Sequence, residues 1–344
     1  VDSIILKSFT SKRADFQSLD YSDCAIDFLK DFGFLDSKGN LTDKASYLLS
    51  KSHAYGVPSS YMRTFSHLDD LIFGNYKSIW KKDSFNNEYH VNRALNVWGS
   101  GKSHKNYFKD LDIFIEKIFN KPLEEQPMGI SDMGCGDGSF LLHLYSLIKE
   151  KTLRGQNLKT NPIYLVGADY NQAALDETIL TFRDLEIQPI TILADIANPD
   201  DLNESLKSNH NINLSDLLSV RSFLDHNRTY DLDASRDNYN YNKISDYSYC
   251  WKGKMITGLE IQNDLVLHFK KWKKHTHKHG LVLIELHNTS IDLAKNSILI
   301  NNPSDLLVEE CMDRYIYSVY ENEALSLAIK INEWKKHNYI IVHT

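Results

Sequence analysis

The sequence predicts an α/β fold: an open, doubly wound parallel sheet preceded by a mostly helical N-terminal region. Three observations carry this. From about residue 126 onward, apolar strand-like runs alternate with amphipathic helical stretches. The octet Ser131-Asp132-Met133-Gly134-Cys135-Gly136-Asp137-Gly138 joins the first run to a helix through a glycine turn. Two later runs, ending Gly167-Ala168-Asp169 and Leu193-Ala194-Asp195, each finish on an acid.

The first part, residues 1–125, reads as helical. Ser22 is a cap for a helix carrying Ala25, Ile26, Phe28, Leu29 and Phe32, which Gly33 ends. Residues 34–42 read as a small hairpin, and Thr42 caps a helix through Tyr47, Leu48 and Leu49, so the three together are winged-helix-like. Residues 96–104, rich in Gly and Ser, read as a turn. It is either a plain linker or a loop that meets a substrate phosphate through Lys102 and backbone N–H groups. A helix follows, with Tyr107, Phe108, Leu111, Phe114, Ile115, Ile118 and Phe119 at helical spacing.

In the second part, residues 126–344, strands are expected at 128–133, 163–168, 190–194, 215–221, 281–287 and 338–343. The expected helices include 138–150, 172–183, 258–274 and 322–336. Residues 231–257 and 290–321 read as insertions. In such a sheet, ligands bind outside the carboxyl ends of the strands.

The glycine octet has the spacing D-x-G-x-G-x-G. This is not the dinucleotide fingerprint, and no Lys-Ser/Thr follows it as in a phosphate loop. It resembles motif I of the S-adenosylmethionine (SAM) methyltransferases. That resemblance implies a Rossmann-like class I SAM-dependent core with the helical N-terminal region as a lid. Asp169, at a strand end, suits a ribose diol or a helix N-cap near Gln172. By the same resemblance Asp195 and Ile196 hold the adenine. The expected donor-binding residues are Asp132, Gly134, Cys135, Gly136, Asp169, Tyr170, Asp195 and Ile196.

The methyl acceptor then belongs near the next two strands. The segments there are Ser219-Val220-Arg221-Ser222-Phe223-Leu224-Asp225-His226-Asn227-Arg228 and Leu281-Val282-Leu283-Ile284-Glu285-Leu286-His287-Asn288. Strand alternation puts Glu285 and His287 on one face, so Asp225, His226 and His287 are candidates to converge. Two imidazoles with a carboxylate or amide suit a divalent transition metal, and Gln262 is a candidate neutral third ligand. Each histidine also has an ordinary hydrogen-bonded role open to it. Arg221 and Arg228 are candidates to bind an acceptor carboxylate or to form strand-end salt bridges.

The stretch S-V-R-S-F-L-D-H-N-R-T-Y from Ser219 to Tyr230, with E-L-H-N downstream, resembles the metal-dependent C-methyltransferase domains of polyketide synthase loading modules. These are the modules that carry a GNAT-like decarboxylase domain, as in apratoxin, gephyronic acid and saxitoxin assembly. The resemblance implies one iron or manganese ion, held by His226, Gln262 and His287 with Asp225 or Glu285 in reserve. It implies a malonyl or methylmalonyl thioester on an acyl carrier protein as acceptor, and neighbouring domains of a larger synthase. Catalysis would centre on His226, His287 and Arg228. Lewis acidity from the ion would stabilise the enolate, and a ligand-bound hydroxide or a nearby His would take the proton.

Composition limits the alternatives. With 39 basic and 46 acidic residues the net charge is −7, which disfavours a nucleic-acid partner and a winged-helix regulator. The cluster Lys270, Lys271, Lys273, Lys274 and Lys278 reads as a solvated helix face. No apolar run is long enough to span a membrane. The four cysteines form no C-x-x-C pair, which fits a reducing cytoplasm. The chain begins at Val1, as a domain cut from a longer polypeptide or a trimmed end would. Two other functions stay open: a metal-independent O- or N-methyltransferase using His226 or His287 as base, and a non-catalytic SAM-binding domain that recruits a carrier protein.

Overall fold

The computed structural model describes residues 23–75, 77, 79, 81, 88–231, 239–241, 244, 249–251 and 254–285. The chain divides into two compact units, Val1–Ser103 and His104–Thr344.

In the first unit, helix α1 (Asp23–Asp31) ends at Gly33, whose φ of 69° lets the chain reverse. Leu35 and Leu41 then form an antiparallel bridge around a turn in which Asp36 accepts the backbone N–H groups of Lys38 and Asn40. Thr42 caps helix α2 (Asp43–Ser50) by accepting the Ala45 N–H at 3.2 Å. Ser22 lies outside the described residues. The expected turn at 96–104 is replaced by continuous helix, α3 (Arg93–Phe108). Gly99 serves close packing there rather than a change of direction: a Cβ on it would lie 2.8 Å from the Cα of Gly56.

The second unit is built on a five-stranded parallel sheet. Its strands are β1 (Gly129–Met133), β2 (Tyr164–Asp169), β3 (Ile190–Leu193), β4 (Leu218–Ser222) and β7 (Leu281–Ile284), in the order β3-β2-β1-β4-β7. Strands β5 (Tyr249–Trp251) and β6 (Lys254–Ile256) pair as a separate antiparallel ribbon in the region read as an insertion. The expected helix 322–336, the strand at 338–343 and the insertion at 290–321 lie outside the described residues.

The central strands are apolar on both faces because both are covered. On one side Ile130, Leu165, Val220 and Ile284 join a core with Ile115, Ile118 and Phe119 of α4 (Asp112–Phe119) and with Phe140, Leu141 and Leu144 of α5 (Ser139–Lys151). On the other, Met133, Val166 and Ala168 pack with Leu202 and Leu206 of α7 (Pro199–His210) and Trp272 of α8 (Gly258–Thr276). Helix α6 (Gln172–Phe182) follows β2 and contributes Phe182 to the first core.

The chain winds outward from β1 to β3, then returns to the other side of β1 with β4. That reversal leaves a crevice at the carboxyl ends of β1 and β4, where open α/β sheets take their ligands. Leu144→Ala, at a fully buried position of the first core, is expected to cost about 2–5 kcal/mol, measured as a lowered midpoint in urea unfolding.

Candidate functional site

The loop after β1 is shaped by glycines with positive φ, of which Gly134 (φ 79°) is the critical one. A Cβ there would lie 2.5 Å from Cδ2 of Leu224, so the loop leaving β1 and the loop leaving β4 meet at this point. Asp169, at the end of β2, spans the crevice wall: its Oδ2 accepts the Gly136 N–H at 3.2 Å and its Oδ1 accepts the Asn171 N–H at 2.9 Å. Thr178 and Thr181 of α6 brace the same loop by donating to the carbonyls of Gly136 and Asp137.

Asp132 is 1% exposed, and neither carboxyl oxygen has a hydrogen-bond partner among the described residues. Burial, reinforced by the carboxylates of Asp169 and Asp137, pushes its pKa well above the ordinary value. Burial, with Asp169 and Asp132, also pushes the Cys135 thiol up, so it is not a thiolate nucleophile. Asp195 closes its own turn by accepting the Ala197 N–H at 2.8 Å. Ile196 is buried in the second core and its carbonyl accepts the Trp272 indole N–H at 2.8 Å. Tyr170 is largely exposed.

The loop after β4 is held from below. Phe223 has a φ of 51°, uncommon for a residue with a side chain, and its N–H bonds to the Ile284 carbonyl at 2.7 Å. Asp225, fully buried, accepts Nε of Arg221 at 2.7 Å and lies 2.8 Å from Nε2 of His268. The remaining guanidinium nitrogens of Arg221 have no hydrogen-bond partner among the described residues. The group lies over the Trp272 ring, 4.5 Å from its centroid. Arg228 donates to Asp264 from Nε at 2.7 Å, pairs with it again through its terminal nitrogen, and donates to the Asp225 carbonyl at 2.7 Å.

His226 sits on top of this base, its side chain 11% exposed. Its Nδ1 is 2.7 Å from Oε1 of Glu285, and its backbone N–H donates to Oε2 at 3.0 Å. Glu285 is fully buried just beyond the end of β7.

Of the expected metal ligands, His226 and Gln262 are described, and Gln262 is buried in the first turns of α8. His287 lies outside the described residues. β7 stops at Ile284, so the strand alternation expected to align Glu285 with His287 does not extend to Glu285. Among the described residues no group of three or more His, Cys, Asp or Glu side chains is arranged to hold a metal ion. Both carboxylate oxygens of Asp225 are engaged by Arg221 and His268. Arg228 forms the salt bridge that was one of its two expected roles.

Sequence reasoning missed Asp264, His268, Trp272 and His275. At i, i+4, i+8 and i+11 they share one face of α8. Three polar residues at such spacing in a helix otherwise read as core and solvated lysines were the available signal.

A family model described as the AprA MT2-like domain matches residues 88–305. No curated protein matches the chain. Among solved structures the chain is similar to the plantazolicin methyltransferase BpumL in complex with SAH, at 13% identity over 79% of each chain with a TM-score of 0.36. It is similar to the citrinin polyketide synthase CMeT domain, at 13% identity over 83% of this chain and 62% of that one, with a TM-score of 0.40. A third is the CurJ carbon methyltransferase, at 12% identity over 90% and 71% of the two chains, with a TM-score of 0.38.

The buried base predicts a pH dependence of stability. Burial lowers the His268 pKa from 6.5 to about 4, although Asp225 pulls it upward. His268 is therefore neutral in the fold and donates its Nε2–H to Asp225. A depressed folded pKa contributes stability that is fully present above 6.5 and is lost as pH falls through about 4. Urea unfolding between pH 7 and pH 4 is expected to show a loss on the order of 1–3 kcal/mol from this group. The slope is expected to flatten in His268→Asn.

Proposed function

Because the chain belongs to the AprA MT2-like domain family of methyltransferases, we propose that it methylates the α-carbon of a malonyl or methylmalonyl thioester. The thioester is carried by an acyl carrier protein, within a larger polyketide synthase. S-adenosylmethionine supplies the methyl group. One observation carries the reading: at the carboxyl ends of β1 and β4, a carboxylate-rich glycine loop abuts, through Leu224, the loop that presents His226.

The donor site fits a cation. Burial, with Asp169 and Asp137 beside it, raises the cost of ionising Asp132, and a positively charged ligand there offsets that cost. A sulfonium with an α-ammonium group is such a ligand. The absence of a side chain at Gly134 leaves room for Leu224 against the loop. Asp169 holds the loop shape and lies at the strand end where a ribose diol binds in folds of this topology.

On the acceptor side, His226, Gln262 and His287 are the residues that would hold an iron or manganese ion. Two imidazoles and an amide suit such a metal, and a ligating histidine commonly passes its other nitrogen to a carboxylate, as His226 does to Glu285. The ion would supply Lewis acidity to the two carbonyl groups flanking the acceptor carbon. The chain's own part is positioning. Arg221 and His268 fix Asp225, Arg228 fixes the loop to α8, and Leu224 closes the gap to the donor loop.

A second reading has its own observation. The His226–Glu285 pair at 2.7 Å is also the geometry of an oriented general base, which would serve metal-independent transfer to oxygen or nitrogen.

Intact-mass analysis of malonyl- and methylmalonyl-carrier protein, incubated with SAM and either Fe²⁺, Mn²⁺ or EDTA, separates the two. A methyl gained only with metal, and lost in His226→Ala and His287→Ala with SAM binding intact, is the expected result. Full turnover in EDTA rejects the metal. Asp132→Asn is expected to weaken SAM binding by about 1.5–3 kcal/mol in titration calorimetry.

A further inference from the structure

We infer that Glu285 is a positioning residue rather than a metal ligand: it selects the tautomer of His226 and thereby decides which ring nitrogen can work. This deepens the reading of His226 given above and rests on it. Glu285 carries no exposed surface, and each of its oxygens meets His226. Oε2 accepts the His226 backbone N–H at 3.0 Å, and Oε1 meets Nδ1 at 2.7 Å.

The two contacts differ in kind. The backbone N–H is a donor that cannot change. Nδ1 can either donate or accept, depending on where the ring proton sits. With Oε1 as the acceptor, as Oε2 is for the backbone N–H, Nδ1 carries the proton and the lone pair moves to Nε2. Nε2 is then the nitrogen that ligates an ion or accepts a proton. The backbone contact fixes the loop beneath the ring, so one side chain sets both the tautomer and the place of the imidazole. Asp225, the other acid near the ring, is already held between Arg221 and His268 and does not compete for this role.

Glu285→Gln tests this without changing shape. The glutamine must place its oxygen on the fixed backbone donor, and its NH₂ then faces Nδ1. The amide donates to Nδ1, the ring proton moves to Nε2, and the working lone pair is withdrawn. Glutamate and glutamine are nearly isosteric, so the fold is expected to persist. Far-UV circular dichroism and SAM titration check that.

The experiment is ¹⁵N NMR of ring-labelled, metal-free protein, with the His226 signals identified by their disappearance in His226→Gln. Manganese affinity is measured in parallel by electron paramagnetic resonance. The expected result is the Nδ1–H tautomer in the wild type and the Nε2–H tautomer in Glu285→Gln. Manganese affinity should fall about 10–100-fold in that variant, with SAM affinity unchanged. An Nε2–H tautomer in the wild type overturns the proposal with no variant needed, and so does an unchanged tautomer in Glu285→Gln. If instead the wild type binds no manganese and His226→Ala methylates normally, the reading of His226 as the working imidazole fails. The tautomer result still stands or falls by itself.

Discussion

The foot of the loop after β4 is held by a single buried carboxylate. Asp225 lies at the foot of the loop after β4, gripped by Arg221 from its own strand and by His268 from α8. Burial alone would raise its pKa, but Arg221 and His268 more than reverse that and bring it to about 2, so it remains ionised in an apolar setting. Removing one partner from such a buried pair costs about 3–5 kcal/mol. Further along the loop, Arg228 donates to the Asp225 backbone carbonyl and the His226 ring meets Glu285.

The loop after β1 obeys the opposite logic. There the carboxylates crowd together without cations among the groups that shift Asp132, and that acid is left with no partner among the described residues. A fold tolerates such an arrangement where a ligand completes it. The two loops thus differ in charge: paired acids and bases after β4, and a cluster of carboxyl groups after β1. Leu224 over Gly134 is the seam between them.

Much of this was legible in the sequence because it is local. Apolar runs ending in Asp169 and Asp195, and the glycines of the octet, announce strand ends and a tight loop through short-range rules. The parallel sheet then follows from the alternation of strands and helices. What escaped is non-local. Gly99 looked like a turn glycine, yet it is where the chain needs room for Gly56, 43 residues earlier in sequence. The partner of Arg228 is Asp264, 36 residues away, and no spacing rule links them. The partner of Glu285 is His226, 59 residues earlier in sequence.

One face of α8 reaches the segments that leave β3 and β4. Asp264 and His268 hold the segment that leaves β4, while Trp272 and His275 hold the segment that leaves β3, through the Ile196 carbonyl and Asp200. The four side chains lie within one stripe three turns long. The segments leaving β3 and β4 therefore share a single support, and the spacing between their anchor points is set by the rise of one helix.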